Sequence, residues 1–342
     1  MKILLNVVVY ELEKNINRQI IVDENMNLVD FCESVIVSMN GTKIPIYLLE
    51  NQNIFYYPYE IITNENERTM LNLTLKDLKL KKGNEFYIDY NFEENKYEFD
   101  LIVDDILDKK LNNTDKCFEV LSGAGYGILD SEDSFSLKCI LTCRNANDYS
   151  YYKKSTKDYL EKRFDIIEIN KKVIDYLENK KVNSEPKSYI FNVSLEGFNK
   201  EIKRKVKVNN DILIESFCRK IITSMKGDLS HCFAIKRNKE YLNQIYNKVE
   251  LFYLDLKEKQ RFKIFYDYGD SWEFNLTLSK ISDDYNEKIE FEVLSGKGYG
   301  IIDDCGGVWG LGDIFSGVDT DWGEYDINDF DLDECNENVK KV

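Results

Sequence analysis

The feature that most constrains this chain is an internal duplication. The segment FEVLSGAGYGILD, Phe118 to Asp130, returns as FEVLSGKGYGIID, Phe291 to Asp303, with two substitutions. Upstream, YEFDLIVDDI from Tyr97 parallels WEFNLTLSKI from Trp272, and LNVVVYELEKNINRQIIV near the start parallels FNVSLEGFNKEIKRKVKV from Phe191. Downstream, FDIIEINKKV from Phe164 parallels FDLDECNENV from Phe330. Both copies are therefore whole, and a sequence that repeats at domain length must fold the same way twice. The polar stretch NKKVNSEPKS, with one of only three prolines, divides a first copy at 1–182 from a second at 188–342.

Each copy opens on two alternating apolar stretches around a polar turn, Gly197 to Lys200 in the second, which predicts a β-hairpin. A helix follows, capped by Asn210 or Asp211. It carries Leu213, Phe217, Ile221 and Met225, with Leu28, Phe31, Val35 and Met39 as first-copy counterparts. FKIFYDY, WEFNLTLSKI and FEVLSG then read as strands, with a Gly-Asp turn in YDYGDSW. The tail of the first copy, Tyr151 to Glu178, reads as helical. The expected class is α+β: two tandem homologous domains, each a β-hairpin, a helix and a mostly antiparallel sheet, with helical C-terminal segments.

A net charge of −16 opposes a phosphate backbone, so direct nucleic-acid binding is not expected. Most of the excess is local. From Asp303 to Glu337 there are twelve Asp and Glu and no Lys or Arg. The eight cysteines form no CxxC pair, and one histidine is too few for a zinc site of the usual Cys/His type, which predicts free thiols in a reducing cytoplasm. The apolar run at the start, MKILLNVVVYELEK, is too short to span a membrane and shows no cleavage site.

Three segments of the second copy concentrate unusual residues. The turn Tyr266-Asp267-Tyr268-Gly269-Asp270-Ser271-Trp272 sets aromatics beside two carboxylates that can hold a cation or work with His231 as acid and base. It equally suits a tight hairpin whose Asp carboxylate bonds nearby N–H groups. The first copy has DYNFEENKY there, so any such site exists once. SGKGYG fits neither the P-loop nor the dinucleotide fingerprint, so its glycines are expected to serve positive φ or close backbone approach. Asp303, Asp304, Cys305, Gly306, Gly307 and Trp309 follow, and the flanking aspartates disfavour a Cys305 thiolate. The acidic tail fails the EF-hand register: counted from Asp319, Glu324 falls where Gly is needed and Phe330 where Glu is needed.

YDYGDSWEFNLTL, SGKGYGIIDDCGGVWG and FDLDECN, in this order and spacing, resemble the plasmid pRiA4b ORF-3-like family, whose members are often labelled passenger proteins of insertion elements. The resemblance spans nearly all of the second copy and reaches the first only through it. It implies a compact α+β domain found on plasmids, mobile elements and bacterial chromosomes, with no biochemical activity to carry over. This chain departs from the family pattern at Phe274, where the family tends to have His, and at Ile301 to Asp304, where it tends to have a Pro-Pro-Glu-Asp run. Of the family's His-rich stretch only His231 remains.

The expectation is a cytoplasmic, non-catalytic accessory protein that works through protein contacts. No cofactor, metal or membrane is expected, and the partner is expected to be basic. Its surface would comprise Tyr266, Asp267, Tyr268, Asp270, Trp272, His231, Asp303, Asp304 and Trp309, with Asp319, Asp321, Asp326, Asp329 and Asp331 as an acidic docking edge. Two other readings stand beside it. One is an acidic mimic that blocks a basic nucleic-acid-binding protein; the other is an enzyme centred on Asp267, Asp270, His231 and Asp303 at the Gly-Asp-x-Trp turn.

Overall fold

A computed structural model describes residues 1–42, 45–61, 65–91, 96–108, 116–130, 134–142, 159, 162–198, 201–237, 240–242, 244–318 and 321–342. The chain divides into two compact units, Met1–Lys181 and Val182–Val342. Each is a mostly antiparallel sheet with helices, an α+β fold made twice.

In the first unit, β1 (Lys2–Val9) and β2 (Asn17–Asp23) form the opening hairpin, followed by α1 (Leu28–Ser38). Then come β3 (Tyr47–Asn51), β4 (Ile54–Tyr57), β5 (Glu67–Thr69), β6 (Glu85–Tyr90), β7 (Tyr97–Leu107), β8 (Phe118–Ala124), α2 (Ser134–Thr142) and α3 (Ile166–Ser184). The sheet order is β5-β4-β3-β6-β7-β1-β2-β8, and only the β4–β5 pair is parallel. The second unit repeats this with β9 (Ser188–Leu195), β10 (Lys203–Asn209), α4 (Ile214–Ser224), β11 (Phe233–Arg237), β12 (Glu240–Tyr241), β13 (Arg261–Tyr266), β14 (Trp272–Ser282), β15 (Phe291–Lys297), α5 (Gly307–Ser316) and α6 (Leu332–Lys340). Its order is β12-β11-β13-β14-β9-β10-β15. Of the predicted helical tail, 166–178 lies in α3, while 151–158, 160 and 161 lie outside the described residues.

Strand alternation builds both cores. Ile3, Leu5, Val7 and Val9 of β1, and Trp272, Phe274, Leu276 and Leu278 of β14, are all buried on one face. Against that face lies the helix, through Ile214, Phe217, Cys218, Ile221 and Ile222 of α4. The predicted cap is corrected here. α4 starts three residues later than an Asn210 cap requires and two later than an Asp211 cap requires, with exposed Leu213 at the N-cap. Asn210 is spent elsewhere, donating to the carbonyls of Asn183 and Glu185 and accepting from the Lys187 N–H. Ile214 instead donates to the Val249 carbonyl at 2.9 Å, so a backbone bridge between Leu213 and Glu250 sets where the helix begins. In the first unit Asn27 is a true side-chain cap, accepting from the Val29 N–H at 2.8 Å.

A buried arginine closes each copy and explains the repeated glycine segment. Arg204 donates Nε to the Ser224 carbonyl at the end of α4 and its terminal nitrogens to the carbonyls of Lys297, Gly298 and Tyr299, at 2.8–3.0 Å. Its guanidinium lies 4.4 Å from the Phe330 ring centroid. Arg18 repeats the arrangement on Ser38, Ala124, Tyr126 and Phe164. A Cβ at Gly296 would stand 2.5 Å from the Phe330 ring and 2.8 Å from the arginine Cδ, which is why the residue between them is glycine. Another matched residue near the end of the repeat is as specific. Asn336 accepts from the Val293 N–H and donates to the Val293 carbonyl, completing the edge of β15, as Asn170 does for Val120 on β8.

The outward face of the first sheet is acidic. Glu98 stands across from Asp89, and Asp100 across from Tyr87. Partial burial, reinforced by Glu98, Glu13 and Glu85, pushes the Asp100 carboxyl up to about 6. A folded-state pKa above the unfolded one means the folded domain holds this proton more tightly. That contribution is full below the ordinary aspartate range near 4 and is lost as pH rises through about 6. Asp100→Asn is therefore expected to stabilise the first domain at pH 7 by about 1 kcal/mol after solvent screening. Urea midpoints by circular dichroism should differ between variant and wild type at pH 7 and converge near pH 4.

Candidate functional site

At one end of the second sheet three segments meet: the β13–β14 turn, the stretch leading into β11, and the loop after β15. Tyr266 and Trp272 are register partners at the mouth of the turn, both facing the core. They are therefore structural supports and not part of an exposed surface. Asp267 leaves the sheet with φ +53°, donating its N–H to the Cys232 carbonyl at 3.0 Å, and Ser271 returns with φ +56°. The left-handed positions thus fall on Asp267 and Ser271, while Gly269 keeps an ordinary φ. Asp267 Oδ1 accepts from the Gly269 N–H at 2.8 Å, which turns Oδ2 toward His231.

His231 Nε2 lies 3.7 Å from Asp267 Oδ2 and 3.3 Å from Asp304 Oδ1. One ligand atom from each of the three residues lies within 4.8 Å of the other two. The imidazole stands edge-on to Tyr266, with centroids 5.9 Å apart. Its Nε2 is shielded from solvent and makes no hydrogen bond among the described residues. The Asp267 side chain is 7% exposed and that of Asp304 72%, so the cluster has a closed floor and an open rim.

The other two predicted acids of this region hold the loops. Asp303 Oδ2 accepts from the Asp228 N–H at 2.7 Å, and burial pushes its carboxyl up, with Asp228 adding to the shift. Tyr266 donates to Asp228 Oδ1 at 3.1 Å; burial and then Asp303 raise the phenol, while hydrogen bonds from Ser230 hold the Asp228 carboxyl down. The first domain uses the same pin, since Asp130 accepts from the Thr42 N–H at 2.8 Å and from the Tyr90 hydroxyl at 2.7 Å. Asp303 is thus a fastening common to both copies. Asp270 is not in the cluster: both its carboxylate oxygens lie 3.2 Å from the Gly306 nitrogen. A Cβ at Gly307 would meet the Asp270 carbonyl oxygen at 2.3 Å, so the turn and the start of α5 are clasped together by Asp270 and the two glycines. Burial and Asp270 push the Cys305 thiol up to about 12, which excludes a ready nucleophile. The described cysteines are free thiols, and Cys143 lies outside the described residues.

The clasp leaves two aromatics in water. Tyr268 at the tip of the turn is 64% exposed and Trp309, in the first turn of α5, is 85% exposed. The acidic tail is docked on its own domain: Tyr325 packs edge-on against Tyr299, the Tyr299 N–H donates to the Ile327 carbonyl, and Phe330 covers Arg204. Two of its predicted partner-binding acids have structural work. Asp331 caps α6 by accepting from the Glu334 N–H, and Asp326 accepts from the Asn328 N–H. Asp321 and Asp329 are exposed, and Asp319 lies outside the described residues.

The register also shows what the first copy has lost. Phe233 pairs with Tyr266 as Tyr47 pairs with Tyr90, so Asn91 stands for Asp267 and Pro45 for His231. From the aligned loops, Ser131 stands for Asp304. Asn91 keeps the left-handed turn, φ +51°, with its N–H on the Ile46 carbonyl. All three members of the cluster have changed while the arginine collar, the Tyr–Asp pin and the loop glycines remain.

Among the described residues no helix is long and apolar enough to cross a membrane. The chain is 28% identical over 248 residues to Protein PFC0760c of Plasmodium falciparum (isolate 3D7), a match that takes in 69% of this chain and 7% of that protein. A crystal structure of a protein of unknown function from Methanosarcina mazei Go1, MM3350, superposes on 44% of this chain and 98% of its own, at 19% identity and a TM-score of 0.39. The repeated collar and pin mark two copies of one domain type, and the model of the plasmid pRiA4b ORF-3-like protein matches the chain twice, at residues 2–173 and 187–336. The chain therefore belongs to the plasmid pRiA4b ORF-3-like family and carries its domain in tandem.

Proposed function

We propose that this protein is a cytoplasmic interaction protein, of the accessory kind encoded with mobile elements or on bacterial chromosomes, whose second domain docks a basic protein partner. The observation that carries this reading is the pair Tyr268 and Trp309, held in water by the Asp270–Gly306–Gly307 clasp, with Trp309 on the stretch from Asp303 to Glu337 whose acids have no Lys or Arg among them. Large aromatics presented on a fixed turn and helix start are the side chains that anchor interfaces, and the surrounding acids select and steer a cationic partner. The first domain, without the clasp glycines, serves as the scaffold copy.

The test is recovery of host proteins on immobilised full-length chain at low salt and at about 0.5 M, where screening removes steering between exposed charges. A defined basic protein held by wild type at low salt, and depleted about tenfold or more on a Trp309→Ala/Tyr268→Ala chain, is the expected result. Stability should be unchanged in that variant, because both side chains are mostly solvated. Recovery that is equal on both chains, or indifferent to salt, would sink the reading. A partner that DNA displaces would extend it to nucleic-acid mimicry.

A further inference from the structure

We propose that His231, Asp267 and Asp304 bind one divalent first-row metal ion of the Mn²⁺ or Zn²⁺ class, with open coordination positions toward solvent. The inference departs from the sequence expectation of no metal and is independent of the docking surface.

Four observations carry it. The three ligand atoms converge, with Nε2 3.7 and 3.3 Å from the two carboxylate oxygens and all three within 4.8 Å of one another, so a small shift of the exposed Asp304 brings them to the roughly 3–4.4 Å spacing of donors bonded to one ion. His231 Nε2 is shielded from water, makes no hydrogen bond among the described residues, and faces two carboxylate oxygens. A shielded nitrogen without a hydrogen-bonding partner is expensive to maintain, and coordination satisfies it. Asp267 is more than nine-tenths buried, with Oδ1 fixed by the Gly269 N–H and Oδ2 directed into the cluster, so one ligand oxygen is already oriented. Finally, the first copy has Pro45, Asn91 and Ser131 at these three places yet keeps the pin and collar around them, which separates the cluster from what the fold itself requires.

The donor set decides the class of ion. One imidazole with two carboxylates suits Mn²⁺, Fe²⁺ or Zn²⁺, whereas Ca²⁺ seeks six to eight oxygens and finds two carboxylates here. With Asp304 on the open rim, the remaining positions belong to water or to an anionic or carbonyl oxygen of an incoming ligand. A bound ion would act there as a Lewis acid on whatever oxygen coordinates it.

Mn²⁺ is the probe, because the free cysteines compete for Zn²⁺. Titration of the full-length chain, followed by the electron paramagnetic resonance of free Mn²⁺, should give one site per chain that Ca²⁺ displaces poorly. Asp267→Asn places in the second copy the residue that the first copy already folds with, so it is expected to fold and to weaken Mn²⁺ by about tenfold or more. His231→Gln should do the same. Asp329→Asn/Asp333→Asn, which removes two exposed charges of the acidic edge, should leave the site as it is. Folding of each variant is checked by tryptophan fluorescence. Absence of a stoichiometric site in wild type, or equal weakening by the edge variant and the cluster variants, would overturn the proposal and reduce the binding to diffuse acidic attraction.

Discussion

Replacing Arg204 with alanine is expected to destabilise the second domain by about 3–5 kcal/mol, the range for breaking a buried hydrogen-bond network. Among the described residues the guanidinium has no carboxylate partner. Its charge is distributed over the carbonyls of Ser224, Lys297, Gly298 and Tyr299 and over the face of Phe330. Alanine would leave those carbonyls facing a void that water reaches poorly, and would free the end of α4, the loop after β15 and the start of the C-terminal segment at once. Arg204→Lys should recover only part of the loss, since one ammonium cannot span carbonyls on both sides of the loop. The readout is unambiguous because Trp272, Trp309 and Trp322 are the chain's three tryptophans and all lie in the second domain. Urea unfolding followed by tryptophan fluorescence therefore reports that domain, and an unmoved midpoint in Arg204→Ala would show that the collar does not hold it together.

That arginine is also the clearest measure of what the sequence concealed. The duplication was legible as sequence self-similarity, and the alternation of β1 and β14 and the helical face of α4 as periods in the hydrophobic pattern. Arg204 lies in the strand Lys203–Asn209 beside Lys203 and Lys205 and reads as one more solvated cation. Only its recurrence as Arg18, together with Gly123 and Gly296 and with Phe164 and Phe330, carried the signal, and it needed the two copies to be read side by side. The misplaced cap at Asn210 has a different cause, since a backbone bridge from a distant segment overrode local propensity.

The site divides in the same way. His231, Asp267 and Asp304 were all among the candidate residues, but 36 and 37 residues of chain separate them in turn, and only the β11–β13 register and the pinned loop bring them together. Asp270 and Asp303 look equivalent to them in sequence. Geometry separates the group: Asp270 turns both oxygens to the Gly306 N–H and Asp303 gives Oδ2 to the Asp228 N–H, so both fasten loops, whereas Asp267 keeps Oδ2 for His231. Local spacing cannot show which carboxylate is already satisfied.

The second large effect is expected at Gly300, and it ties the fold to the site. Gly300 has φ +137°, a region open essentially to glycine alone, and Gly127 of the first copy has the same value. An added Cβ would stand 2.4 Å from the Met225 carbonyl oxygen, which itself accepts the Ile301 N–H at 2.8 Å. Alanine therefore meets both a strained φ and a backbone atom that cannot yield without breaking the hydrogen bond fastening the loop to the end of α4. Gly300→Ala is expected to cost about 3–4 kcal/mol, against about 1 kcal/mol for Gly317→Ala, a left-handed helix end with open space around it. Tryptophan fluorescence in urea measures both. Asp303 and Asp304 follow Gly300 by three and four residues, so a loop that lifts from Met225 carries the pin and the rim ligand with it. Mn²⁺ affinity should then fall in Gly300→Ala at temperatures where the domain is still folded, and stay unchanged in Gly317→Ala. Equal urea midpoints for the two variants would mean that closure onto Met225 is not what positions the cluster.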